Sequence, residues 1–214
     1  MQKWKDSSFH WLGCFKILEM SKRLCVYCSS SNILEEKYIE AAREFAKAAS
    51  LLSYTVVCGG SLRGLMGIII DTMLSAGSSS RVEGVIPEFM GKMEIHHPMI
   101  KRLQIVDSMS KRKELLRKET DAVIAFPGGL GTLEEFLETL TLKRLGQYDG
   151  LVILFNQDGF YDSLLAMLEQ FVQNRVLNSN YLDSLIVVDN VNDLIEAVKN
   201  GKRGLLNAAH YLPI

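Results

Sequence analysis

A short apolar run, a cluster of glycines and a helical stripe follow one another without a break between residues 122 and 140. No other part of the chain limits the fold so tightly. Residues 122–126, Ala-Val-Ile-Ala-Phe, have the character of a buried strand and are bounded by Pro127. Leu133, Phe136, Leu137 and Leu140 then recur at i, i+3, i+4 and i+7, which is the spacing of one helix face. Between them lie Gly128, Gly129, Leu130, Gly131 and Thr132, so the glycines mark a strand handing over to a helix. Such a junction presents free backbone N–H groups and the positive end of a helix dipole, a ready anion site. Glycine also lets the main chain approach a phosphate with no side chain between. On its own the stretch predicts a phosphate-bearing ligand.

The same alternation runs through the rest of the chain. Strand patterns fall at 23–28, 55–58, 81–86, 103–106, 151–155 and 185–188. Helical stripes fall at about 41–52, 65–76, 109–119, 133–146, 161–172 and 194–198, while 88–98 has a weak pattern and is read as loop. Alternating strands and helices predict an α/β fold: a single Rossmann-like domain, its parallel sheet covered by helices on both faces. The expected divisions are an N-terminal tail or over-extended start at 1–19, a nucleotide-binding domain at 20–200 and a C-terminal tail at 201–214. Ligands of such sheets bind beyond the carboxyl ends of the strands. Three of those ends carry glycine- or hydroxyl-rich loops, at 29–32, 59–64 and 127–132.

Composition removes several function classes. Lys+Arg 24 against Asp+Glu 25 leaves a net charge of −1, which gives no basic excess for a nucleic-acid partner. No apolar run approaches the roughly 18 residues of a membrane span, and the apolar residues near 11–17 lack a small-residue cleavage site. A cytoplasmic location is expected. Cys25 and Cys28 match C-x-x-C, but in a strand residues three apart point to opposite faces, so an inert core pair is expected. With no second such pair and no H-x-x-x-H, no metal is expected, and no cofactor either.

Candidate chemistry gathers around the glycine junction. Thr132-Leu133-Glu134-Glu135 fits a capping box, which would make Glu135 a helix cap. Yet Thr132, Glu135 and Thr139 share a face opposite the leucine stripe, and a carboxylate beside a phosphate cradle is electrostatically costly unless it has other work. Glycosidic cleavage supplies such work, because a carboxylate there steadies an oxocarbenium-like transition state and positions water. Lys111, Arg112 and Lys113 open a helix against its dipole, so either a solvated basic face or an anionic ligand accounts for them. His96 and His97 read as loop residues. The loop 59–67, G-G-x-x-x-G-x-x-G, is neither a dinucleotide fingerprint nor a P-loop and fits close helix packing as well as a ligand.

Two of these segments together, P-G-G-x-G-T-x-x-E at 127–135 and M-x-x-R-K at 109–113, resemble the LONELY GUY (LOG) family, often labelled lysine decarboxylase-like. Arg112 and Glu135 stand 23 positions apart, which also fits, and the resemblance extends from about residue 22 to 198. It implies a nucleoside 5′-monophosphate phosphoribohydrolase that splits cytokinin-type or adenosine monophosphates into free base and ribose 5-phosphate. Arg112 and Glu135 would then be the catalytic pair. Substrate contacts would come from Glu94, Met109, Lys113, Gly128, Gly129, Leu130, Gly131, Thr132, Leu133, Glu134 and Thr141. The resemblance further implies a homodimer or larger homo-oligomer with sites near the subunit interface. Ser29 and Ser61 stand where the family has glycine, and Leu130 where tyrosine is common. The rival expectation is a nucleotide carrier or sensor without turnover. Lysine decarboxylation ranks last, since no segment identifies a Schiff-base lysine.

Overall fold

The computed structural model describes residues 21–93 and 96–205. Seven strands form one parallel sheet: β1 (Arg23–Tyr27), β2 (Thr55–Cys58), β3 (Val82–Pro87), β4 (Arg102–Val106), β5 (Ala122–Ala125), β6 (Leu151–Phe155) and β7 (Leu185–Val188). Their order across the sheet is β4-β3-β2-β1-β5-β6-β7. The helices are α1 (Glu36–Leu51), α2 (Gly64–Ser75), α3 (Glu88–Gly91), α4 (Met109–Arg117), α5 (Leu130–Arg144), α6 (Asp162–Gln173) and α7 (Val191–Asn200). The α/β class and the parallel sheet expected from the sequence are observed, with every predicted strand within one residue of its place. One expectation fails in part. Residues 88–91, read as loop, form the short helix α3, with Pro87 as its N-cap and Glu88 favourably placed in its first turn, while 92–93 and 97–98 are irregular as expected.

Strand side chains alternate between two apolar layers, as a sheet buried on both faces requires. Leu24, Val26, Ile124 and Phe126 face the layer formed with α1, α2 and α7. Cys25, Tyr27, Val123 and Ala125 face the other, where Leu116 of α4 and Phe136 of α5 pack. Cys25 and Cys28 therefore lie on opposite faces, as the strand geometry predicts, and all three described thiols are free and buried. Burial pushes the Cys58 thiol up to about 11 and drives Cys25 and Cys28 upward too, so none is a ready nucleophile.

The strand order fixes where a ligand can enter. From β1 the chain steps outward through β2, β3 and β4, then returns to place β5 on the other side of β1. The loops after β1 and β5 thus diverge, leaving a crevice at this switch point. Hydrogen bonds hold its rim together beyond the last strand pairing. Ser29 N–H donates to the Pro127 carbonyl (3.1 Å), and Leu65 N–H donates to the Ser29 carbonyl (3.0 Å). The Tyr161 hydroxyl braces the Phe126 carbonyl from behind (2.7 Å).

Candidate active site

The crevice is a cavity of about 560 Å³, in the range of small-molecule sites. All three loops singled out in the sequence line it: Ser29, Ser30 and Ser31 after β1, Gly59, Ser61 and Arg63 after β2, and Gly129 to Thr132 after β5. The wall is completed by Met66, Ile86, Met90 and Met109, with Arg112, Glu134 and Glu135 among its charged groups.

Arg112 and Glu135 meet at its base. The Arg112 Nη1 donates to Glu135 Oε1, and the Arg112 Nε donates to the Val85 carbonyl (3.2 Å). Each side chain is only 10% exposed, so this is a desolvated ion pair rather than a surface one. Glycine at 59 is needed for it, because a Cβ there would collide with the Arg112 guanidinium. Burial raises the Glu135 carboxyl above its ordinary value, while the Arg112 charge pulls the other way. The backbone under Glu135 is fixed by Thr139, whose hydroxyl donates to the Glu135 carbonyl (2.8 Å). That leaves the Thr139 oxygen to accept from the Tyr27 hydroxyl (3.2 Å).

The glycine junction is built differently from a capping box. The N-cap of α5 is Gly129, not Thr132, and no side chain caps the helix. Thr132 lies inside the first turn, so the cap explanation of Glu135 fails, and its carboxylate goes to Arg112 instead. Leu133 N–H is bonded to the Gly129 carbonyl (3.0 Å), leaving the N–H groups of Leu130, Gly131 and Thr132 without helical acceptors. Nothing lies within 4 Å of where a Cβ on Gly129 or Gly131 would stand. These two glycines therefore leave open space beside three donors with no acceptor among the described residues. Gly128 is different, since its Cβ would overlap the Thr132 hydroxyl and lie 3.0 Å from Ser29 N. Both faces of α5 are covered: Phe136 of the apolar stripe is fully buried with Leu133, Leu137 and Leu140 packed beside it in the same layer, and the opposite polar residues Thr132, Glu135 and Thr139 are buried too.

The cation run has protein partners of its own. Lys111 pairs with Glu114 (2.9 Å), and Lys113 pairs with both Glu134 and Glu138. Arg117 joins Glu138 (2.6 Å), which completes a ladder between α4 and α5. Ser108 caps α4 by accepting from Lys111 N–H (3.3 Å). An anionic ligand is thus not required to explain these charges, contrary to one sequence expectation.

Of the substrate contacts expected from the sequence, Met109, Gly129, Leu130, Gly131, Thr132 and Glu134 line the cavity with the Arg112–Glu135 pair. Lys113, Gly128, Leu133 and Thr141 do not. Lys113 is occupied in the ladder, Gly128 packs behind Thr132, Leu133 turns to the other side of α5, and Thr141 is exposed, its hydroxyl donating to the Leu137 carbonyl (2.8 Å). Glu94 lies outside the described residues. His97 is structural, bonded to Asp71 (2.9 Å) and, through its N–H, to the Gly60 carbonyl (2.8 Å). The sequence reading named no individual site residue in the serine loop or in the 59–66 segment, although both loops stood out as strand-end loops. Among the described residues no cluster of metal-ligating side chains occurs, and no helix is long and apolar enough to cross a membrane.

A parallel sheet with an open glycine turn and a buried arginine–carboxylate pair at its switch point defines an α/β ligand site. Comparison with known proteins gives the family. The family model described as "Possible lysine decarboxylase" matches residues 66–198, and the chain belongs to this family, the LONELY GUY (LOG) family. Cytokinin riboside 5′-monophosphate phosphoribohydrolase LOG4 of Arabidopsis thaliana is 33% identical over 177 residues, covering 83% of this chain and 81% of its own. LOG1 of the same plant is 34% identical over 179 residues, covering 84% and 83%. Among solved structures, the Moco carrier protein of Chlamydomonas reinhardtii superposes with a TM-score of 0.61 at 18% identity, covering 84% of this chain and 96% of that one. That last likeness is one of fold.

Proposed function

We propose that this protein hydrolyses the N-glycosidic bond of a purine nucleoside 5′-monophosphate, cytokinin-type or adenosine, releasing free base and ribose 5-phosphate. The observation that carries this reading is the buried Arg112–Glu135 pair set beside an unfilled glycine cradle. The activity of the LOG relatives points the same way. The N–H groups of Leu130, Gly131 and Thr132 hold the 5′-phosphate, which supplies binding energy remote from the bond being broken. As the C1′–N9 bond breaks, its electron pair leaves with the base, and the Glu135 carboxylate steadies the positive charge developing at C1′. Water adds at C1′ and gives its proton to Glu135, and that proton passes on to the departing base, which restores the carboxylate. A carboxyl raised by burial is a better proton acceptor than an ordinary one. Arg112 restrains Glu135 and offers its remaining donors to ribose or base.

Lysine decarboxylation has no support in the cavity wall, which contains no lysine, and Lys113 is bound to two glutamates. We also read the active unit as a homodimer. Leu130, 86% exposed at the rim, and the half-buried leucines of α5 are apolar surface that a second subunit would cover. Free, buried thiols suit a reducing cytoplasm.

Incubation with AMP and with isopentenyladenosine monophosphate, followed by chromatography for base and ribose 5-phosphate, tests the reading. Release of both products, abolished by Glu135→Gln, supports it. Nucleotide binding without product would establish a carrier instead.

A further inference from the structure

Four charged side chains line the cavity: Arg63, Arg112, Glu134 and Glu135. Three are satisfied within the protein, Arg112 with Glu135 and Glu134 with Lys113. Arg63 has no carboxylate and no side-chain hydrogen-bond partner among the described residues. The two pairs cancel, so among the described residues Arg63 is the one cavity-lining charge left uncompensated.

The backbone beneath that charge is rigid. Arg63 is the N-cap of α2, and its N–H donates to the Ser61 hydroxyl (3.1 Å). The next residue, Gly64, has φ +61°, donates to Asn32 Oδ1 (3.1 Å) and has no room for a Cβ, which would collide with the Ser29 carbonyl. Leu65 N–H is tied to that same carbonyl. The guanidinium is therefore mounted on a fixed turn, while its own five donors stay free.

Its position is set by the sheet. In the order β2-β1-β5, the strands that lead into the Arg63 loop and the α5 cradle flank β1, two strand spacings or about 10 Å apart. Arg63 and the Leu130–Thr132 turn line the same cavity, so an anion resting on those amides shares it with Arg63.

We propose that Arg63 is a specificity-determining residue that clamps the substrate's 5′-phosphate against the α5 cradle and so selects nucleotides over nucleosides. This rests on the phosphoribohydrolase reading given above. Planar guanidinium donors suit phosphate, and one charge-assisted hydrogen bond of this kind is worth about ten- to a hundredfold in affinity. Arg63 is exposed, so the effect weakens with added salt.

Two measurements on Arg63→Ala and Arg63→Lys decide the matter. In steady-state kinetics with AMP, Arg63→Ala is expected to raise KM about ten- to a hundredfold with little change in kcat, and Arg63→Lys to recover part of the loss. Calorimetric titration with inorganic phosphate is expected to show the same loss of affinity. Melting temperatures are expected to match wild type, because the side chain makes no bond to lose. Unchanged KM and phosphate affinity in Arg63→Ala would overturn the proposal. A wild type that releases no base from AMP would overturn the hydrolase reading, while the phosphate titration would still report on Arg63.

Discussion

Glu135 shows how one residue type can be read two ways until its partners are known. As a helix cap it would face solvent and backbone amides; in the structure it is buried against Arg112, and burial raises its carboxyl above the ordinary 4.5. The raised value has a sign for stability. Between 4.5 and the folded value the native state holds this proton more tightly than the unfolded chain does. The group's contribution to stability therefore declines as pH rises through that window and is level above it. Catalysis requires the ionised form, so kcat/KM for AMP is expected to rise with pH along an acidic limb centred above 4.5. A limb at or below that value, seen in a pH–rate profile, would remove Glu135 from the chemistry. The glycines divide just as clearly. Gly128→Ala drives a Cβ into Thr132 and is expected to cost about 1–3 kcal/mol in denaturant unfolding. Gly129→Ala meets no atom within 4 Å and is expected to fold normally yet bind nucleotide poorly. Equal stability of the two variants would contradict this division.

At the level of elements, α4 and α5 are the pair that matters, since each contributes half of the ion pair. The ladder of Lys113 and Arg117 against Glu138 holds them side by side, and burial of Glu138 is outweighed by those two cations, leaving its carboxyl below the usual range. Glu138→Gln is expected to cost about 1 kcal/mol, a fall of roughly 2–4 °C in melting temperature for a domain of this size. An unchanged calorimetric melt would show that the ladder does not hold α4. Periodicity located both helices and every strand, because apolar runs ended by glycine or proline leave few alternatives. It did not reveal that α5 is buried on its polar face too. Its apolar stripe does pack on the core through Phe136, yet Glu135 and Thr139 on the opposite face are buried as well, because Arg112 and Tyr27 supply their polar partners across a gap of over 20 residues in sequence. The helix start was misplaced for a related reason. Thr132 has the chemistry of a cap, but the chain is already helical from Leu130, and only backbone geometry reveals that. Arg63 stayed hidden because an arginine in a loop looks like solvated charge until it is seen to line the cavity with no carboxylate partner among the described residues.

For the whole molecule, the strand order is the decisive fact. A sheet that steps outward from β1 and then returns to β5 opens a crevice between them, and every group invoked for the reaction lies on a loop or helix around that crevice. The paired motifs at 109–113 and 127–135 located most of it in advance. The wall formed by Ser29–Ser31, Met66, Ile86 and Met90 became visible only when separate strands were brought together. If a second subunit closes the exposed rim at Leu130, sedimentation is expected to give twice the 24.0 kDa chain mass, and a monomer at micromolar concentration would contradict that assembly. The central claim is that Glu135 performs chemistry at a site whose phosphate cradle works without it. Single-turnover assay of Glu135→Gln with AMP, alongside calorimetric measurement of AMP binding, tests this most directly. The expected result is nucleotide binding close to wild type with no adenine released. Adenine released at the wild-type rate would contradict it.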